Sequence, residues 1–336
     1  MNWKSKVALI LTVVLAVGIS YQAYRAYKRV TKKHSTNQWS IGIIAGPHPL
    51  ALEQSSKYPN PRFTADDIPN PEISFVADPF LLEENGKWFL FFEMFDKETR
   101  LGEIGAATSD DGFHWKFAGT VLEEPFHLSY PFVIKEGDTY YMIPESRAAR
   151  EVRLYKAVDF PTKWEFDRVL FPGNYTDPTP VSYEGTWWIF TTRHPYALDI
   201  WYADELHGEW KPHKRNPIYR NDKSRARNGG RPVVLGDKIL RFAQDNREGY
   251  GRKLRAFLID VLSEDQFEEH AVTPDPLLFA HGDSWAKGGM HHYAPVMTLS
   301  GMWYASIDGW GDWAREPIPD SEIDTATTLE EHLNEE

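Results

Sequence analysis

A chain of 336 residues with 14% aromatic residues, 13 Trp and no Cys can fill one large core or one closed repeat array, and it excludes disulfides and thiolate-bound metals. The formal charge of −12 excludes a basic nucleic-acid surface. The ends differ in sign, with seven Lys and Arg and no acid in residues 1–33 and eight acids without Lys or Arg in residues 316–336. They nearly cancel, so the middle is acidic in its own right and suits a neutral or cationic ligand better than a polyanion.

The first predicted element is a transmembrane helix. Residues 7–24 form an uncharged run of mostly Val, Leu, Ile and Ala between Lys4 and Lys6 on one side and Arg25, Lys28, Arg29, Lys32 and Lys33 on the other. As a helix it spans about 27 Å, enough for a bilayer core. No small-x-small cleavage site follows it, which favours an uncleaved, single-pass N-terminal anchor over 1–33. The flanking charges argue for opposite sides of the membrane, so the side stays open.

Residues 34–74 read as an entry segment. Trp39-Ser-Ile-Gly-Ile-Ile-Ala45 has strand character, and Pro59, Pro61, Pro69 and Pro71 mark an extended linker. A unit of two strands around a glycine turn then begins at Phe75-Val-Ala-Asp-Pro-Phe80 and ends on Glu93. It recurs from Tyr130-Pro131 to Glu145, from Asp177-Pro178 to Thr192, from Arg231-Pro232 to Asp245, and from His292 to Asp308. The turn glycines at 86, 137, 185, 236 and 301 repeat at roughly fifty residues, the spacing of propeller blades. Four units are followed by a further strand and an aromatic-led strand, opening on Trp115, Trp164, Trp210 and Phe267. The fifth lacks this outer pair, and residues 39–45 are the candidate to complete it, since a closed ring leaves no open edge. The prediction is an all-β, five-bladed propeller over 75–315, closed by 39–45, with an acidic disordered tail at 316–336.

Neighbouring strands in a blade are antiparallel, so the start of each first strand and the end of each second strand meet at one end of the blade. Asp78, Tyr130, Asp177, Arg231 and His292 form one predicted set, and Glu93, Glu145, Thr192, Asp245 and Asp308 the other, with Arg193, His194 and Gln244 beside them. Carboxylates sharing a concave site repel, so one stays protonated as an acid while another stays ionised as a base. Asp78 is assigned as base, Glu145 as acid with Glu93 as its competitor, and Asp177 as the group that orients the acid or binds a sugar hydroxyl. Substrate-binding roles fall to Tyr130, Arg193, His194, Arg231, Gln244, Asp245, Arg247, Tyr250, His292 and Asp308. The Arg- and Gly-rich stretches 227–231 and 244–252 have the chemistry for a ligand carboxylate or phosphate. His291-His292 without a further spaced partner is a weak metal motif, and no metal or cofactor is assigned. Trp201, Trp285, Trp310 and Trp313 are the aromatics available to stack on sugar faces.

The motifs Ala-Asp-Pro-Phe80, Gly102-Glu-Ile-Gly-Ala-Ala-Thr-Ser-Asp-Asp-Gly112, Ser129-Tyr-Pro-Phe, Ile143-Pro-Glu-Ser146 and Arg241-Phe-Ala-Gln-Asp245 resemble one family over roughly residues 39–313. It is the N-terminal domain of glucosamine inositolphosphorylceramide transferase 1, and the repeat is more distantly similar to the propellers of glycoside hydrolase families 43, 32 and 130. In those hydrolases an Asp-Pro opening blade one carries the base or nucleophile, which implies that role for Asp78. In family 43 the acid opens a first strand, whereas Glu145 closes a second strand, so its role rests less on the resemblance. The transferase activity in the family name is attributed to a C-terminal glycosyltransferase domain absent from this chain.

The expected function is hydrolysis of a glycosidic bond in a glycan or glycoconjugate by an inverting two-carboxylate mechanism. A phosphorylase or glycosyl transferase using the same site is the alternative enzyme. A glycan-binding propeller without turnover is the alternative outside enzymes.

Overall fold

The computed structural model describes residues 38–280, 282 and 285–312. The apolar run 7–24, Trp313 and the acidic tail lie outside the described residues. Among the described residues, helical structure is limited to two single 3-10 turns, Ala65–Asp67 and Arg147–Ala149, and no helix is long and apolar enough to cross a membrane.

Five antiparallel sheets make the five blades. Blade one runs Ile73–Glu84, Lys87–Asp96, Leu101–Ser109, Lys116–Leu122, and blade two Ser129–Glu136, Thr139–Glu145, Glu151–Asp159, Lys163–Pro172. Blade three runs Tyr175–Tyr183, Thr186–Arg193, Ala197–Ala203, Lys211–Pro212. In blade four the first strand is split into Arg227–Asn228 and Val233–Leu235, followed by Lys238–Asp245, Lys253–Leu262 and Phe267–Ala271. Blade five takes Tyr293–Met297 and Trp303–Gly311 from the end of the chain and Gln38–His48 and Ala51–Glu53 from its start. Ile41 faces Asp308 in that last pairing, so both ends of the described chain share one sheet.

The burial pattern of each strand follows from its depth in the blade. From Trp88 to Met94 the second strand of blade one is continuously buried, because blades cover both of its faces. At the rim, residues 116–120 alternate between exposed and half-buried before Val121 and Leu122 turn in to the core. The tight hairpin at Asn85-Gly86 has φ of 54° and 75°, left-handed at both central positions, which matches the strand twist.

Five hydrophobic clusters divide the core, in keeping with five blade-to-blade contacts. Phe91 and Met142 meet between blades one and two, Trp188 and Ile239 between three and four, and Phe242 and Ile307 between four and five. The segment after the closing strand joins this core. Ile41 and Phe63 exchange backbone hydrogen bonds, and Phe63 is fully buried, so the proline-rich stretch is docked on the propeller at this point.

Candidate active site

Asp78, Tyr130 and Asp177 lie in the first strands of blades one to three, and all three adopt left-handed φ values of 51°, 49° and 50°. Each precedes a proline, and each ladder slips its register there, between Ala77 and Phe80, Ser129 and Phe132, and Thr176 and Thr179. A left-handed L-residue costs roughly 1–2 kcal/mol, so three at equivalent positions form a repeated device. The bulge turns the side chain out of the strand's alternation and the backbone amide toward the neighbouring blade.

Two of those amides meet carboxylates of the preceding blade's second strand. Asp177 N–H donates to Glu145 Oε2 at 3.3 Å, and Asp78 N–H donates to Asp308 Oδ2 at 3.3 Å. The two predicted sets therefore interlock round one mouth of the channel. Asp308 Oδ1 also accepts the amides of His291 and His292, each at 3.1 Å, which fixes the turn into blade five.

Rings plug the channel beneath this mouth. Phe80 and Tyr130 pack edge-on to His292 at centroid distances of 4.6 and 5.2 Å. Tyr130 Oη accepts the Gly230 amide at 2.7 Å and lies 2.9 Å from Thr179 Oγ1, tying blades two, three and four together. Gly230 needs its missing side chain, because φ is 127° and a Cβ would lie 1.8 Å from the Tyr293 carbonyl oxygen. His292 is fully buried, neither ring nitrogen has a hydrogen-bond partner among the described residues, and its Nδ1 lies 3.6 Å from Asp78 Oδ1.

The carboxylates differ in protonation because their neighbours differ. Burial raises the pKa of Asp78, but His292, His291 and Arg227 outweigh it and hold the group below the usual carboxylate range. Glu145 is pushed up to about 8, first by burial and then by the negative charge of Asp177, with Arg227 opposing. Glu93 is raised well above its ordinary value by burial and by Asp78, Glu145, Asp308 and Asp177. One ionised Asp and two protonated Glu thus share one electrostatic field. Asp177 is 1% exposed, and Arg227 Nε donates to its Oδ2 at 2.6 Å.

Several further residues belong to the mouth. Gly102 N–H donates to His127 Nδ1 at 2.8 Å, which leaves the proton of the neutral ring on Nε2, 3.6 Å from Glu93 Oε1. Burial lowers the His127 pKa and favours that neutral form. His291 Nδ1 lies 2.7 Å from Asp308 Oδ2, outside hydrogen-bond geometry, and its Nε2 lies 3.0 Å from Tyr250 Oη. Burial opposes charge on His291, yet Asp308 and Asp78 raise its pKa overall. Trp39 stacks on His291 at 4.1 Å and on Trp310 at 6.2 Å. The Tyr250 ring is half exposed while its hydroxyl reaches inward, and Arg227 sits 5.0 Å from the ring centroid. This gives an aromatic wall beside the carboxylates.

Asp78, His291 and Asp308 offer ligand atoms that all lie within 4.8 Å of one another. Two carboxylates and an imidazole can bind a divalent cation. Asp308 already accepts three backbone amides, however, so most of its lone pairs serve the fold.

Other expected site residues lie apart from this cluster. Arg231 is on the far side of the plug, donating to the Leu81 and Val133 carbonyls and resting 4.7 Å from the Phe132 ring centroid. It lines a cavity of about 370 Å³ with Leu82, Val233 and Met297, further along the inner strands from Asp78. With no carboxylate beside it among the described residues, burial pushes its pKa down to about 10. Arg193 is held by Asp199 at 2.6 and 3.0 Å, and His194 is exposed on the turn that follows. Burial opposes charge on Asp245, but Arg247, paired with it at 2.5 Å, outweighs burial and holds its carboxyl below the usual range. Gln244 donates to the Asn228 carbonyl at 3.0 Å, within the blade-four framework. Of the tryptophans, Trp285 is buried against Gly42 and Gly309, and Trp201 stacks on Phe171 at 4.2 Å.

Arg227, His127, His291 and Trp39 complete the mouth; the first and third lay in stretches considered for ligand binding, Trp39 only in the predicted closing strand, and His127 in neither. Arg227 belongs to the same Arg-Asn-Gly-Gly-Arg motif as Arg231. The broken first strand of blade four sends the two arginines to opposite sides of the plug.

The family model described as "Glucosamine inositolphosphorylceramide transferase 1, N-terminal" matches residues 31–310. Proteins named glucosamine inositolphosphorylceramide transferase 1 are 38% identical over 295 residues in Oryza sativa subsp. japonica and 35% identical over 302 residues in Arabidopsis thaliana. These alignments cover 81% and 83% of this chain and 40% of each relative, so the chain spans well under half of their length. Among solved structures, the catalytic domain of an α-L-arabinofuranosidase from Coprinopsis cinerea is similar with a TM-score of 0.53 at 11% identity, covering 82% of this chain and 97% of that one. An α-L-arabinofuranosidase from Podospora anserina gives 0.53 at 14% identity, covering 78% and 83%. At these identities the likeness speaks for the fold alone.

Proposed function

The chain belongs to the glucosamine inositolphosphorylceramide transferase 1 N-terminal family, and from that premise we propose that its propeller is a glycan-acting enzyme that cleaves a glycosidic bond by inversion. The observation that carries this reading is the split protonation of one buried cluster. Asp78 is held ionised while Glu145 is pushed up to about 8 a blade away. Glycosidic cleavage requires such a pair, one group activating water and the other protonating the leaving oxygen. Asp78 is the base, Glu145 the acid, and Asp177 with Arg227 holds the acid in place through its amide and its charge. Glu93, also raised, remains the competing acid, with His127 as its neighbour. The glycan is the proposed ligand, with Tyr250 and Trp39 as the stacking surface.

Phosphorolysis draws no support from Arg193, Arg231 or Arg247, because none of them faces the cluster. Transfer to an acceptor hydroxyl at the Asp78 face is the second reading, favoured by the transferase name of the relatives. The apolar run 7–24 supports a single membrane anchor, and carbonate extraction of the full chain from membranes tests it.

The enzymatic test incubates wild type, Asp78→Asn and Glu145→Gln with a panel of glycans and activated glycosides, with and without phosphate or acceptor sugars. Released sugar from wild type alone, falling off above about pH 8 as Glu145 ionises, supports hydrolysis by this pair. A product joined to the acceptor or to phosphate moves the reaction to transfer or phosphorolysis. Equal glycan binding by all three proteins without turnover makes it a binding propeller.

A further inference from the structure

A cleft of about 370 Å³ opens beside Glu145, lined also by His127, Arg147, Ala148, Arg150 and Asn174. Its inner end is the buried Glu145 carboxyl, and its outer end carries two exposed arginines from the turn that follows that strand. The turn is tightly built. Ser146 Oγ donates to the Glu151 carbonyl at 2.7 Å, Arg150 N–H to the Arg147 carbonyl at 2.9 Å, and Gly173 N–H to the Arg150 carbonyl at 2.9 Å. Arg147 Nε donates to Asn174 Oδ1 at 2.8 Å, which aims the guanidinium.

Several other arginines of this acidic body are neutralised, although Arg231 is not. Arg153, Arg193, Arg227, Arg241 and Arg247 each hold a carboxylate at 2.5–2.8 Å. Arg147 and Arg150 have no carboxylate partner among the described residues, and neither His127 nor the Glu145 carboxyl supplies a negative charge to the cleft at neutral pH. The cleft is therefore locally cationic, with planar donors that match an oxyanion in two-point fashion.

We infer that this cleft is a subsite for an anionic substituent, a carboxylate or a phosphate, on the part of the glycan that departs past Glu145. The placement on the leaving side rests on the acid role given to Glu145 above, whereas the anion preference rests on the two arginines. Binding can be read without turnover, so the two claims fail separately.

The test measures binding of galacturonic acid, glucose 6-phosphate, galactose and glucose to the full chain by titration calorimetry or ligand-observed NMR. Wild type is expected to bind at least one acidic sugar about tenfold more tightly than its neutral counterpart, and less so at high salt. The carboxylate and phosphate arms show which group the site takes. In Arg147→Gln/Arg150→Gln that advantage disappears, while in Glu145→Gln it stays. If the Gln pair does not fold, Arg147→Lys/Arg150→Lys keeps the charge and is expected to retain a smaller advantage, since an ammonium cannot chelate an oxyanion as a guanidinium does. Equal binding of acidic and neutral sugars by wild type, no binding of either, or an advantage that persists in the Gln pair or is undiminished in the Lys pair overturns the inference.

Discussion

Replacing Glu145 by Gln tests the electrostatics of the mouth without any knowledge of the substrate. Folding raises the Glu145 pKa from 4.5 to about 8, which corresponds to about 5 kcal/mol at 1.36 kcal/mol per pKa step. A carboxyl raised on folding holds its proton more tightly in the native state. Its stabilising effect is complete below pH 4.5, declines as pH rises, and levels off above about pH 8. Between pH 6 and pH 9 this group alone removes about 2–3 kcal/mol from wild type. Gln keeps a carbonyl to accept the Asp177 amide and an N–H₂ to donate, so the variant folds at pH 6 within about 1 kcal/mol of wild type. It lacks the titration and should overtake wild type at pH 9. Urea unfolding of both proteins at the two pH values measures this. Parallel loss of stability in the two proteins would refute a raised Glu145 and remove the acid from the proposed pair.

Three further outcomes follow from named contacts. Arg227→Ala leaves Asp177, 1% exposed, without its cation, and should lower stability by about 3–5 kcal/mol in chemical denaturation. Arg241 and Glu269 form an ion pair at 2.7 Å with both side chains fully buried, so Arg241→Ala should cost a similar amount while the double replacement by apolar residues costs less. Asp78→Gly should be more stable than Asp78→Ala by about 1 kcal/mol, because Gly accepts the φ of 51° that Ala resists. The reverse order in thermal melts argues that the bulge relaxes on substitution.

The five-bladed architecture was readable because each blade repeats its chemistry. An aromatic second strand, a glycine turn and a polar residue before proline recur in the sequence, and burial on both faces makes the inner strands uniformly apolar. Asp78, Tyr130, Asp177, Glu93, Glu145, His292 and Asp308 were placed at one mouth by strand direction alone, and the structure does bring them together. Arg193, Arg231, Asp245 and Arg247 occupy or flank equivalent repeat positions and still lie elsewhere. Asp199 captures Arg193, Arg247 captures Asp245, and the broken strand of blade four directs Arg231 to the opposite side of the plug.

Strand order, blade count and the end of the ring that gathers the acids are thus properties of local pattern, since alternation and turn chemistry act between near neighbours along the chain. The charge state of each acid, the choice of Arg227 over Arg231, and the meeting of His127 with Glu93 and of Trp39 with His291 belong to the closed ring. These depend on groups from different blades, in places hundreds of residues apart in sequence. Desolvation and Coulomb energy are set by distance through space, which no spacing along the chain encodes.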